Sequence, residues 1–338
     1  RIRADKSETF DNGTIELSTL PLHTVHALDV KIPKGRLTVV TGVSGSGKTT
    51  TVLESLIPAL KAKINGERLP AHIKSIKADG INRVNLIDAT PIGINVRSTV
   101  ATYSGILDDL RKLFAATPKA KELGLKVNDF SYNTGSLRCP TCDGTGQISM
   151  DIQFLPDVDI VCPDCSGRRY SEKANDVKIE LRGEEYSIAD LMQTTVSEAA
   201  GLFEKHKKIK EKLETLLNLG LSYLTLGEST PTLSGGEAQR LKLATELGKP
   251  QSDSVFVFDE PTIGLHPQDV GSLLKVFDRL IKDGATVIVI EHDLDMIKNA
   301  DYIIDMGPHG GNAGGRIVAE GTVGDISDNP ESITGRYL

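Results

Sequence analysis

Gly42-Val43-Ser44-Gly45-Ser46-Gly47-Lys48-Thr49 matches G-x-x-x-x-G-K-[ST], the phosphate-binding loop. The run before it, Arg36 to Thr41, is short, apolar and β-branched and reads as a buried strand. The stretch after it, Thr50 to Leu60, carries Val52, Leu53, Leu56 and Leu60 at helical spacing. Strand, glycine-rich turn and helix are the context the motif needs. The glycines let the backbone turn until its N–H groups face phosphates at a helix N-terminus. In that frame the loop residues 42–49 and Thr50 line a nucleotide, Lys48 reaches its β/γ-phosphates, and the Thr49 hydroxyl ligates Mg2+. A chance Gly/Ser-rich turn would not need the flanking elements.

Further along, Leu233-Ser234-Gly235-Gly236-Glu237 leads into a predicted helix from Glu237 to Leu247. Ser234 is placed to cap it, and Gly235 and Gly236 leave N–H groups bare at a positive helix end, a second anion site. Val255 to Phe258 is wholly apolar, as in a parallel strand buried on both faces, and runs into Asp259 and Glu260. Asp259 is placed to hold Mg2+ through water, and Glu260 to align or deprotonate the attacking water. A helix is expected from Gln268 to Lys282, and a second apolar strand, Thr286–Ile290, ends at Glu291-His292-Asp293. His292 lies at a strand's carboxyl end, where α/β proteins bind ligands, and joins Glu260 and Lys48 as a candidate catalytic group. Further strands are predicted at Thr14–Leu17, Ala27–Ile32, Val84–Asp88, Tyr302–Asp305 and Arg316–Ala319. Single helices are predicted over Thr99–Ala116 and Thr195–Leu219, the latter capped by Ser197 and stopped at Gly220. The basic run Lys205–Lys212 reads as a solvated helix face, with a phosphate-contacting strip as the alternative.

All four cysteines fall in two C-x-x-C pairs, Cys139 with Cys142 and Cys162 with Cys165, each followed by x-Gly. Two tight turns giving two thiolates each suit tetrahedral Zn2+, and the interval between the pairs is usual for such sites. Free or disulfide-bonded thiols are the rival reading. Between the pairs, Gln147 to Phe154 alternates polar and apolar residues, Leu155-Pro156-Asp157 turns, and Val158–Val161 returns. The pattern predicts a β-hairpin whose base is clipped by metal.

The 338 residues, 39% hydrophobic and 25% charged, describe a globular chain with room for two domains or one large insertion. A net charge of −7 argues against a uniformly basic nucleic-acid binder but leaves room for a local basic groove. No apolar run approaches a membrane span and no signal peptide opens the chain, so no membrane role and a cytoplasmic location are expected. Arg1 in place of Met reads as the start of a fragment.

P-loop, Leu233-Ser234-Gly235-Gly236-Glu237, a strand ending Asp259-Glu260-Pro261 and a strand ending in His292 resemble, in that order, an ABC-type ATPase. The cysteine pairs and the long interval from Lys48 to Ser234 set it apart from transporter domains. Pro91-Ile92-Gly93, Ala101-Thr102-Tyr103, the stretch 113–118, Phe154-Leu155-Pro156-Asp157, Ile290-Glu291-His292 and Thr334-Gly335-Arg336 make the chain similar to the C-terminal ATPase half of the excinuclease UvrA family, or of a UvrA-like paralogue. The resemblance implies an α/β, ABC-type P-loop ATPase with a helical insertion carrying a zinc-clipped β-hairpin. It divides the chain into core (1–93), inserted signature region (94–221, hairpin 136–172) and core again (222–338). It implies ATP, Mg2+ and Zn2+ as cofactors, and recognition of damaged or distorted duplex DNA in nucleotide excision repair, with the zinc-clipped hairpin close to the DNA; Arg138, Arg168, Arg169 and Lys173, which flank the cysteine pairs, are the expected phosphate contacts. It also implies a UvrB-like partner contacted through a missing N-terminal half. The P-loop and the Ser234 turn would each complete a site on a second ATPase half or a second copy of the chain. Ala89 stands where the family usually has Gln near Mg2+ and the attacking water, which favours a paralogue. The alternatives are a resistance or regulatory ATPase with a non-DNA partner, and a nucleotide-gated module with vestigial hydrolysis.

Overall fold

The structure is a computed structural model that describes residues 5–150, 158–247, 251–265 and 267–338. The chain forms two compact units, Arg1–Ala89 with Gly248–Leu338, and Thr90–Leu247.

The first unit is built on a six-stranded sheet in the order Arg316–Gly321, Tyr302–Gly307, Leu37–Gly42, Thr286–Ile290, Ser254–Asp259, Arg83–Ile87. All neighbours are parallel except the pair Tyr302–Gly307 and Arg316–Gly321. Leu37–Gly42 and Thr286–Ile290 are buried along their whole length, which explains why their sequences are unbroken apolar and Thr/Gly runs. A three-stranded antiparallel sheet, Asp29–Pro33, Thr14–Thr19 and Ile73–Lys77, completes the unit. Thr14–Thr19 alternates half-buried and buried residues, so Ile15 and Leu17 pack with Val52, Leu56 and Leu60 of the P-loop helix and with Ile288 and Ile304 of the large sheet. That helix runs on past Leu60: a π-helical stretch, Thr50–Leu56, continues as the α-helix Ile57–Asn65 and stops at Gly66, φ 68°.

The second unit is mainly helical. The helix expected over 99–116 is two, Val100–Tyr103 and Ile106–Ala115, because Gly105 takes a left-handed φ of 70° between them. The helix expected over 195–219 is also two, Val196–Leu202 and Lys207–Asn218. Thr195, not Ser197, caps the first. Its hydroxyl accepts the N–H of Glu198 while the Glu198 carboxylate accepts the N–H of Thr195, leaving Ser197 inside the first turn. On the second helix Lys207 and Lys210 face Glu211 and Glu214 one turn on, and Lys212 reaches Asp109 at 2.6 Å, so much of the basic run is paired locally.

Gln147–Met150 pairs antiparallel with Val158–Val161. Residues 151–157 of the predicted hairpin, including Phe154-Leu155-Pro156-Asp157, lie outside the described residues. A second hairpin, Lys178–Leu181 with Glu184–Ser187, turns through Arg182 and Gly183, both at positive φ. Backbone bonds tie residues 224–230 to the stretches 98–101 and 194–196, and the division at Leu247 leaves the Ser234 helix in the second unit rather than with residues 248–338. Among the described residues no helix is long and apolar enough to cross a membrane.

Candidate functional site

The carboxyl ends of the parallel strands collect the polar groups of the first unit. Leu37–Gly42 lies between two parallel neighbours, so its end opens onto the edge where such sheets hold ligands. Gly42 must be glycine there: φ is 130°, and a Cβ would come 2.0 Å from the Met306 carbonyl oxygen. Lys48 is buried and its Nζ donates to the carbonyls of Gly42 and Val43, 2.9 Å each, so the loop wraps its own cation. Burial lowers the Lys48 pKa, while Glu260 and Asp305 push it back up. The Ser46 hydroxyl is fully buried and has no partner among the described residues, a spare donor inside the cradle, which fits a loop shaped for an anion. Thr49 is exposed, whereas the Thr50 hydroxyl donates to Glu54 at 3.3 Å.

Two strands along, Asp259 closes Ser254–Asp259, and Glu260 follows with a left-handed φ of 47° and its N–H on the Ile290 carbonyl. His292 Nε2 meets Glu260 Oε1 at 3.1 Å. Between them Glu291 is almost wholly buried and acts as a clamp. One carboxylate oxygen accepts from the Thr262 N–H and hydroxyl, and the other accepts from the N–H groups of His292 and Asp293. Sequence reading placed His292 and passed over Glu291, although an acid directly after a fully apolar strand is a signal. Burial first, then the charges of Glu260, Asp88 and Glu291, raise the Asp259 carboxyl above its ordinary range. Asp259 thus sits in an acidic neighbourhood whose strain a nearby positive charge would relieve.

In the second unit Ser234 caps the helix Gly235–Glu246 as expected, with the helix starting ahead of its predicted first residue. Ser234 Oγ accepts the Glu237 N–H, and a Glu237 carboxylate oxygen accepts the Ser234 N–H at 2.7 Å. The other oxygen accepts from the Tyr223 hydroxyl, also at 2.7 Å.

The four cysteine sulfurs lie within 4.8 Å of one another and all are buried. Thiolates on a tetrahedral ion at about 2.3 Å stand about 3.8 Å apart. Cys139 to Cys162 is 3.9 Å and Cys142 to Cys165 is 3.7 Å. A disulfide needs about 2.05 Å. The cluster fits a metal, and all four cysteines are free thiols. Burial pushes the Cys165 thiol up to about 12. The Gly146 N–H points at Cys142 Sγ, 3.2 Å.

Arg169 does not stand ready for DNA. It is buried, and its guanidinium is spent on protein acceptors. Two of its neighbours near the cysteines are engaged as well: Arg138 reaches Asp143 at 3.0 Å and Arg168 reaches Asp190 at 3.9 Å.

No family model matches the chain. It is 48% identical over 315 residues, 92% of its length, to UvrABC system protein A of Staphylococcus aureus, and 48% identical over 314 residues to that of Staphylococcus epidermidis. It covers 33% of each, so it spans about a third of the length of these curated relatives. Among solved structures, UvrA2 from Deinococcus radiodurans superposes over 100% of the chain and 40% of its own, with a TM-score of 0.87 and 41% identity. The chain therefore has the ABC-type P-loop fold and is similar over nearly its whole length to a portion of UvrA proteins.

Proposed function

We propose that this chain binds and hydrolyses ATP as the ATPase portion of a UvrA-family protein, and that ATP governs its hold on damaged or distorted duplex DNA. The observation that carries the reading is the edge where Lys48 wraps the phosphate loop and Glu260 pairs with His292 beside Asp259. Residues 42–49 and Thr50 bind the phosphates; Lys48 releases its loop carbonyls to reach the β/γ oxygens. Thr49 and Asp259 would hold Mg2+, which would neutralise charge on the phosphates. Glu260 orients the attacking water and takes its proton, His292 fixes the Glu260 carboxylate, and Glu291 holds both loops in place. The Ser234–Gly236 turn serves the γ-phosphate of a site on a second ATPase half or a second copy of the chain. Zn2+ is the ion that best suits four buried thiolates, and with no open position its role is structural.

The similarity to UvrABC system protein A supports DNA as partner, and the chain's overall acidity requires that the DNA term be local. Binding to plain and lesion-bearing duplex, with and without ATP, at rising salt tests the proposal. Affinity should fall steeply with salt, since phosphate contacts release counterions, and should respond to ATP. DNA affinity that is absent at low salt, or indifferent to ATP, overturns the DNA part. Ala89, a methyl group at the loop following Arg83–Ile87, favours a second reading in which turnover is slow and nucleotide occupancy alone does the switching.

A further inference from the structure

We propose that Arg169 is a positioning residue for the Ser234 turn. It ties the base of the cysteine hairpin to the segment that enters the Ser234 helix, so the hairpin sets how well that turn serves ATP turnover. The functional half of this inference rests on the ATPase reading above.

The Arg169 backbone is left-handed, φ 68°, and its carbonyl accepts the N–H of the metal-cluster residue Cys139 at 2.9 Å. Its guanidinium reaches three segments. Nη2 donates to Ser229 Oγ at 2.6 Å, and Nη1 donates to the carbonyls of Val96, 3.0 Å, and Gly144, 3.3 Å. The group also lies over the Tyr132 ring, 5.1 Å from its centroid, and the Tyr132 hydroxyl in turn donates to the Arg97 carbonyl. Among the described residues none of these bonds goes to a carboxylate. The guanidinium's hydrogen bonds go to neutral acceptors while Tyr132 and the cluster residues Cys142 and Cys165 favour its charge, so one buried cation couples the three segments to one another and to the cysteines.

Ser229 is the exit of this junction. Thr99 and Ser229 form a β-bridge, Thr230 N–H donates to the Ser98 carbonyl at 2.9 Å, and the Thr230 hydroxyl donates to the Ile92 carbonyl at 3.0 Å. Thr232 closes back on the Ser229 carbonyl through both its N–H and its hydroxyl. The single 3-10 turn Thr230–Thr232 and Leu233 are all that separate this bonded block from Ser234, the cap of the Gly235–Glu246 helix. Little slack is left for a shift at Ser229 to be absorbed before the helix cap. Lysine cannot replace the fork, because one ammonium on a flexible stem does not hold three fixed acceptors in a plane.

The test uses the full 338-residue chain with its metal, as wild type, Arg169→Lys and Ser229→Ala. Ser229→Ala removes one acceptor without touching the hairpin, so it stays informative where Arg169→Lys fails to fold. Both variants should lower kcat by about tenfold, the scale of one charge-assisted hydrogen bond. The ATP Kd and metal content should not change. Amide hydrogen exchange across residues 230–236 should quicken in both, and also on chelation of wild type, while exchange in the P-loop helix holds. Wild-type kcat and wild-type exchange over 230–236 in Ser229→Ala overturn the inference. A wild-type chain with no turnover at any concentration overturns the ATPase reading instead, and exchange over 230–236 then decides the positioning role alone.

Discussion

His292 Nε2 and Glu260 Oε1 stand 3.1 Å apart, and Glu260 holds a left-handed backbone at the end of its strand to make the contact. A non-glycine residue in that conformation costs about 1–2 kcal/mol. The surrounding bonds hold it there, since the Glu260 N–H is fixed on Ile290 and the buried Glu291 carboxylate clamps the residues on both sides. The carboxylate is thus aimed by the backbone and steadied by the imidazole.

Glu260→Gln keeps the shape and removes the carboxylate proposed as the base. ATP should still bind, and turnover should fall by two or more decades, about 3 kcal/mol of barrier. Hydrolysis at the parent rate would remove Glu260 from the chemistry.

Elemental analysis of fresh, reduced protein should find one zinc per chain, and Cys139→Ala with Cys165→Ala should find none. ATP binding should survive metal loss, because the P-loop and the cysteines belong to different compact units. Zinc-free protein with an intact hairpin would show that the cysteines need no ion.

The Asp259 carboxyl is raised by burial and by the acids around it. An acid whose folded pKa is raised binds its proton more tightly when folded. It therefore favours folding at pH below its unfolded value, and that contribution is lost as pH rises through the folded value. Nucleotide-free wild type should gain on Asp259→Asn in melting temperature as pH falls from about 7 to about 5, and Asp259→Asn should melt higher at about pH 7. Parallel melting curves for the two proteins across this range would rule out a strained charge.

A chain that shares its γ-phosphate site with a second copy should show turnover per molecule that rises with protein concentration and then saturates. Ser234→Arg should abolish turnover while ATP still binds. Mixing Lys48→Ala chains with Ser234→Arg chains should restore part of the activity, since one intact composite site re-forms. Concentration-independent turnover by a monomer, with no recovery on mixing, would rule out sharing.

Much of the site was legible because its residues sit where chain direction and residue type coincide. A Gly/Lys/Thr loop between strand and helix, acids at strand ends and paired C-x-x-C turns each declare their surroundings locally. The interrupted helices at Gly105 and at residues 203–206 were not legible, since apolar spacing continues through a break when both pieces face one core. Arg169 was misread for a related reason. An arginine beside a cysteine pair looks like surface charge, and only long-range contacts to Val96 and Ser229 turn it inward. The Lys178–Ser187 hairpin escaped notice because its strands are short and rich in Glu and Lys.

The helix behind the phosphate loop has one residue too many for plain α geometry, and the surplus is stored in the π-helical stretch Thr50–Leu56. Tolerance to single-residue deletion should therefore be lopsided along one helix. Loss of the exposed Glu54 would let the stretch relax to α-helix with Ile57 onward still in phase with the core. Loss of one residue within Ile57–Asn65 would rotate everything beyond it by about 100° and swing buried Leu60 or Ala62 out of the sheet. Thermal melts of the two deletions should differ widely, the first near wild type and the second unfolded.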